Sequence, residues 1–226
     1  MLLELPADAL IAVFVAAVSI LVVRVGDLKK ASVFFLLFCF FMAAAWVRLG
    51  LYRLGAVEIG IGALMTGFVA WRALGRLPGF PGPDTSPVSP VETMPAAMLL
   101  SLAGSVGFMG FLCVPAVWFF LGAPLSAYTV YGLAGIPAAG AGFFSLVWHR
   151  NLLRRLFAFN VLGSGVFLLI VSFAAKLTRP IDAVFVMVTA GLVVAFLASL
   201  IVVIVIGRSP VTGAPVDPKE GSAHVR

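Results

Sequence analysis

The chain has 226 residues, of which 62% are hydrophobic and 11% charged, with a mean hydropathy of +1.17. Soluble domains carry about 25% charged residues, so this composition excludes a soluble globular protein and points to an all-α polytopic membrane protein. The formal net charge of +6 is no nucleic-acid footprint, because the basic residues stand at the ends of apolar runs, where they orient helices.

A helix needs about 20 apolar residues to cross the hydrocarbon core, and by that measure seven spans are expected. The first covers residues 9–23, directly after Asp8, and is followed by Arg24, Asp27, Lys29 and Lys30. It lacks a basic leader and a clear cleavage site, so it reads as a retained helix rather than a signal peptide. The second, 31–49, is rich in phenylalanine. A tight turn over 50–53 leads to the third, 54–74, which carries Arg72 and has Arg76 just beyond it. Residues 78–94 form a linker, whose PGFPGPDTSPVSPVE run holds too much proline, glycine and serine for a helix. The fourth span is expected over 95–121, and a break at Gly122, Ala123 and Pro124 separates it from the fifth, 127–148. The sixth is 152–175 and the seventh 182–206. The polar, proline-bearing tail 207–226 reads as disordered. The linker divides the chain into a three-helix unit, 1–77, and a four-helix unit, 95–206, with no internal repeat between them.

Basic residues set the expected topology. With the loops at 24–30 and 149–155, the linker and the tail on one side, that side collects Arg24, Lys29, Lys30, Arg72, Arg76, Arg150, Arg154, Arg155, Arg208, Lys219 and Arg226. The other side holds Arg48, Arg53, Lys176 and Arg179, so the positive-inside rule puts the N-terminus outside and the C-terminus in the cytoplasm.

One carboxylate lies clearly inside an expected span: Glu58, in LGAVEIGIGALMTGF. A charge at mid-membrane costs roughly 2.5 kcal/mol or more, so such residues are paired or line a hydrated path. Spacings of four put Glu58, Gly62, Thr66 and Ala70 on one helix face, small and partly polar. Two roles stand open for the carboxylate: a proton-carrying or cation-binding group, or a structural ion pair with Arg53 or Arg48 near the outer interface. Those two arginines are expected chiefly to snorkel towards headgroups, and Asp182 to cap the seventh helix. Asn160, Ser164 and Ser172 are expected to bond across to neighbouring helices. Glycines 132, 135, 140 and 142, with Pro137, allow close helix contact in the fifth span. Cys39 and Cys113 read as small buried hydrophobes, and neither they nor His149 and His224 form a metal or haem pattern. With no phosphate loop and no nucleophile–base pair, no enzyme activity, metal or cofactor is expected.

Two segments carry a family resemblance. HRNLLRRL, FNVLGSGVFLLIVS and DAVFVMVTAGLVVAFLAS, within 128–206, resemble the small three-helix subunit shared by Mrp-type multisubunit sodium/proton antiporters and respiratory complex I. Residues 8–77 resemble a three-helix domain near the end of the large antiporter subunit, also found in membrane-bound hydrogenases, whose third helix carries a glutamate before a small-residue run; EIGIGALMTGF matches it from Glu58. LYRLGAV stands where that family has an Ala-Pro-Asp-Val run, and the sixth and seventh spans lack the glutamates of the complex I version, which brings the chain closer to the antiporter branch.

The resemblance implies an accessory subunit of a cation/proton antiporter-like complex in the bacterial inner membrane. It would touch membrane lipids and larger integral membrane subunits, and no nucleic acid. Its ion or proton path would use Glu58, Thr66, Asn160 and Ser164, with Arg53 and Arg48 as charge partners. The alternative is a scaffold subunit with no ion path of its own; a free-standing permease is disfavoured by the scarcity of polar residues and of broken helices.

Overall fold

The computed structural model describes residues 5–68, 70–71, 125–149, 152–176 and 186–191, with isolated positions between 107 and 122 and at 193, 194 and 197. Among them all regular structure is helical. In chain order the elements are α1 (Leu5–Arg24), α2 (Leu28–Arg48), α3 (Tyr52–Val57), a π-helical segment (Glu58–Phe68), α4 (Ala127–Trp148) and α5 (Leu152–Lys176). Four of these, α1, α2, α4 and α5, are long and apolar enough to cross a membrane. The expected linker and tail, most of the fourth and seventh spans, and Cys113, Arg150, Arg179, Asp182 and His224 lie outside the described residues.

Local chemistry sets the ends of these elements. The Asp27 carboxylate caps α2 by accepting from the Lys29 amide at 2.8 Å, and the Ser126 hydroxyl caps α4 by accepting from the Thr129 amide at 3.3 Å. At the other end of α2, Gly50 has a φ of +79°, a left-handed conformation that favours glycine. The Leu51 amide then reaches back to the Trp46 carbonyl at 2.8 Å, and the Gly50 amide to that of Val47 at 3.0 Å. This pair of bonds is a Schellman ending, and it turns the chain sharply into α3.

The first helix differs from its sequence expectation. It starts at Leu5, four residues before the expected 9–23 span, and so takes in Asp8. The charge suggested a boundary, but here it is buried in the first turn, where α1 packs against α2 and α4. An acidic side chain in a first turn is favoured by the helix dipole, and Pro6 fits there without losing a hydrogen bond.

Helix α4 packs most extensively on α5, α1 lies against both α4 and α2, and α2 covers the π segment. Trp46, Tyr131, Phe35, Phe38, Phe157 and Met42 fill the centre. The Phe35 and Phe157 rings stack with centroids 4.9 Å apart and join α2 to α5. On the outside, Leu10, Val13, Phe40, Leu64 and Met65 stand exposed, as they do where the surrounding solvent is hydrocarbon.

The sequence points to the glycines of the fifth span for close contact. The structure adds Gly165 and leaves Gly163 aside. A Cβ on Gly165 would lie 2.5 Å from the Ala139 amide nitrogen, and one on Gly142 2.5 Å from that of Leu162, whereas one on Gly163 would meet only the Phe167 ring edge at 3.9 Å.

Two ends of the bundle are chemically distinct. At one end the Asp8 carboxylate accepts from Arg48 and Tyr131, and the Tyr128 hydroxyl donates to the Leu49 carbonyl at 3.4 Å. At the other, the His149 ring lies 3.2 Å from the Val23 carbonyl, and Arg154 donates to the Gly26 carbonyl. The loops at 24–30 and 149–155 therefore share one end. Arg154 itself is buried at 4% exposure, so part of the basic cluster ties loops together rather than facing headgroups.

Candidate functional site

Glu58 opens the π segment, immediately after the six residues of α3. The pitch changes there: π-helical amides bond five residues back instead of four, and such segments are uncommon and concentrated at functional sites. Thr66 follows the same pitch, its hydroxyl donating to the Ile61 carbonyl, five residues earlier, at 3.1 Å. Glu58, Gly62, Thr66 and Ala70 are all buried, as expected for one shared face.

The Glu58 carboxylate is 3% exposed and bridges two elements. Its Oε2 accepts from the Trp46 indole N–H at 3.5 Å, and its Oε1 from the Ser164 hydroxyl at 3.3 Å. Both bonds are long, so the carboxylate is oriented without being clamped. The two donors differ in kind. An indole N–H only donates, so Trp46 can orient the carboxylate but cannot take its proton. A hydroxyl both donates and accepts, so Ser164 can pass a proton onward. The Schellman turn explains how Trp46, twelve residues upstream, comes to face Glu58: it folds the end of α2 directly back onto α3.

Neither arginine considered as a charge partner reaches Glu58. The Arg48 Nε donates to Asp8 Oδ1 at 2.7 Å, because α1 packs on that side of α2. Arg53 is exposed on α3, and five residues at helical pitch turn its side chain away from the buried carboxylate. Among the described residues no cation lies within ion-pair distance of Glu58, and its partners are neutral donors.

Of the other expected site residues, Ser164 joins Glu58 directly. Asn160 is buried one turn earlier on α5, with its amide donating to the Leu156 carbonyl of its own helix at 2.9 Å. Ser172 is also buried, but its hydroxyl has no hydrogen-bond partner among the described residues. Two residues near the carboxylate were not expected there. Trp46 lies in a phenylalanine-rich run with no polar residue beside it to mark it; the signal that could have found it is an indole N–H close to a tight hairpin turn, which needs a partner when buried. Cys39 faces Gly62, where an added Cβ would lie 3.0 Å from its sulfur and 3.2 Å from Glu58 Oε1. No group of three His, Cys, Asp or Glu side chains among the described residues is arranged to hold a metal ion.

Comparison with family models, curated proteins and solved structures gave no match.

Gly62 offers a direct check on that geometry. Gly62→Ala presses a methyl group between the Cys39 sulfur and the carboxylate, whereas Gly60 has nothing within 4 Å of its Cβ position. The expected cost is about 1 kcal/mol for Gly62→Ala and no loss for Gly60→Ala, read as thermal unfolding in detergent. Equal melting temperatures for the two variants would contradict the packing around Glu58.

Proposed function

We propose that this chain is an accessory membrane subunit of a multisubunit cation/proton antiporter-like assembly, of the kind represented by Mrp-type antiporters, membrane-bound hydrogenases and complex I. In this reading it spans the membrane seven times, with a three-helix unit over 1–77 and a four-helix unit over 95–206. The N-terminus lies outside and the C-terminus in the cytoplasm of a bacterial inner membrane. Supporting that orientation, the basic loops at 24–30 and 149–155 meet at one end of the bundle.

The observation that carries the reading is the buried carboxylate of Glu58, held among the described residues only by neutral donors between α2, the π segment and α5. Intramembrane acids without a cation are expensive and generally serve ion or proton movement. Glu58 would take up and release the proton, Ser164 would pass it along, and Trp46 would orient the carboxylate. Thr66 and Asn160, buried on the adjoining turns, would extend the path.

A second reading has its own support. The same two hydrogen bonds tie three elements together, so Glu58 could act only as a clasp in a scaffold subunit.

Both readings require large partners. Purified from membranes in mild detergent, the tagged chain is expected to carry antiporter-type integral membrane subunits with it in fixed stoichiometry. A chain that purifies alone at every mild-detergent condition, and transports a solute by itself in liposomes, would overturn the subunit reading.

A further inference from the structure

The α1–α2 loop concentrates positive charge. Arg24 ends α1, Lys29 and Lys30 lie in the first turn of α2, and all three are exposed. The one acid in this loop, Asp27, accepts from the Lys29 backbone amide as the α2 cap, and among the described residues none of the three cations has a carboxylate within ion-pair distance. Arg155 is exposed on the first turn of α5, and its Nε donates to the His149 carbonyl at 2.7 Å. The His149–Val23 and Arg154–Gly26 contacts bring that turn beside the α1–α2 loop.

The surface below these cations is apolar. On α2, Lys30 is followed at helical spacing by Val33, Leu37 and Phe40, which are 43%, 41% and 56% exposed. On α1, Arg24 is preceded by Leu21 and Ile20, exposed at 40% and 42%. A ligand that satisfies both features has a negative headgroup and a hydrocarbon chain. Free phosphate would leave the apolar stripes unused, and an acidic soluble peptide would leave them against lipid.

We infer that Arg24, Lys29 and Lys30, with Arg155 beside them, form a binding site for the phosphate headgroup of an anionic phospholipid, whose acyl chain lies along Val33, Leu37 and Phe40. The site is independent of Glu58 and of any transport activity. Juxtamembrane cations attract anionic headgroups with a strength that grows with each charge, and the short 24–30 loop keeps three of them together with no ion-pair partner among the described residues.

Native mass spectrometry of the full chain in mild detergent tests this with phosphatidylglycerol and phosphatidylcholine of matched acyl chains. Phosphatidylglycerol adducts are expected to survive activation that strips phosphatidylcholine. Retention should fall about five-fold for each charge removed in Arg24→Gln, Lys29→Gln and Lys30→Gln. The charge-preserving set Arg24→Lys, Lys29→Arg and Lys30→Arg should keep it, with unchanged helical circular dichroism. Should the glutamine variants not fold, raising the salt concentration on the wild-type chain must release the same adducts. Equal retention of both lipids, retention insensitive to charge removal and salt, or displacement by inorganic phosphate would overturn the proposal.

Discussion

Replacing Gly165 with leucine will force α4 and α5 apart and destabilise the folded bundle by about 3 kcal/mol. Even the first carbon of a side chain there would stand 2.5 Å from the Ala139 nitrogen, 2.9 Å from the Gly135 carbonyl oxygen and 3.0 Å from the Ala138 carbonyl carbon. All three are backbone atoms and cannot rotate away. Gly142→Leu meets the same obstacle from the other helix, with the Ala158 carbonyl oxygen 2.6 Å from its Cβ position. In a bilayer there is no hydrophobic drive between helices, so close backbone approach supplies much of the association. Because α4 and α5 form the largest contact in the described structure, their separation should appear as a fall in melting temperature and as early proteolysis. Gly163→Ala, on roughly the opposite side of α5, should be neutral or slightly stabilising through its better helix propensity. Gly165→Leu protein that melts like the wild type would show that the two helices do not approach as described.

The second large effect is expected where α1, α2 and α4 meet. Asp8 is buried, with Arg48 at 2.7 Å and the Tyr131 hydroxyl at 3.0 Å, so three helices meet on one carboxylate. Arg48→Ala leaves that carboxylate inside with its main cation gone. Breaking a buried pair on one side costs about 3 to 5 kcal/mol, and the 31% exposure of the Arg48 side chain moves the expectation below that range, to about 2 to 3 kcal/mol. Asp8→Asn with Arg48→Gln, which removes both charges and keeps the shapes, should recover a large part of the loss. Chemical or thermal unfolding in detergent reads both. A single Arg48→Ala variant as stable as the wild type would mean that Asp8 does not depend on the pair.

How much of this was legible before the structure follows from the range of each interaction. The apolar runs of α2, α4 and α5 stand out because a membrane span is a local property of about twenty residues. Glu58 and Ser164 stand out for the same reason, as polar groups in apolar stretches. Their meeting does not, because it joins positions 106 residues apart and depends on how α2 and α5 pack. Asp8 was misread as the edge of a span since its compensation, Arg48, lies forty residues away. Arg48 and Arg53 look alike beside Glu58 in the sequence; packing of α1 decides that Arg48 turns to Asp8, and the helix turn carries Arg53 outwards. The π pitch from Glu58 has no composition signature: EIGIGALMTGF reads as an ordinary small-residue helix. Trp46 was legible only as bulk, because its role depends on one N–H and a turn closed by Gly50.

The proposed function rests on Glu58 as the group that would handle a proton within a larger assembly. The most direct test is cation/proton exchange in membrane vesicles containing the proposed complex with Glu58→Gln, which keeps the size, can still accept from Trp46 and donate to the Ser164 hydroxyl, but cannot take up and release a proton. We predict that exchange is lost while the co-purifying subunits remain at wild-type stoichiometry. Exchange at the wild-type rate from an intact Glu58→Gln complex would contradict the account and leave the carboxylate as a structural clasp.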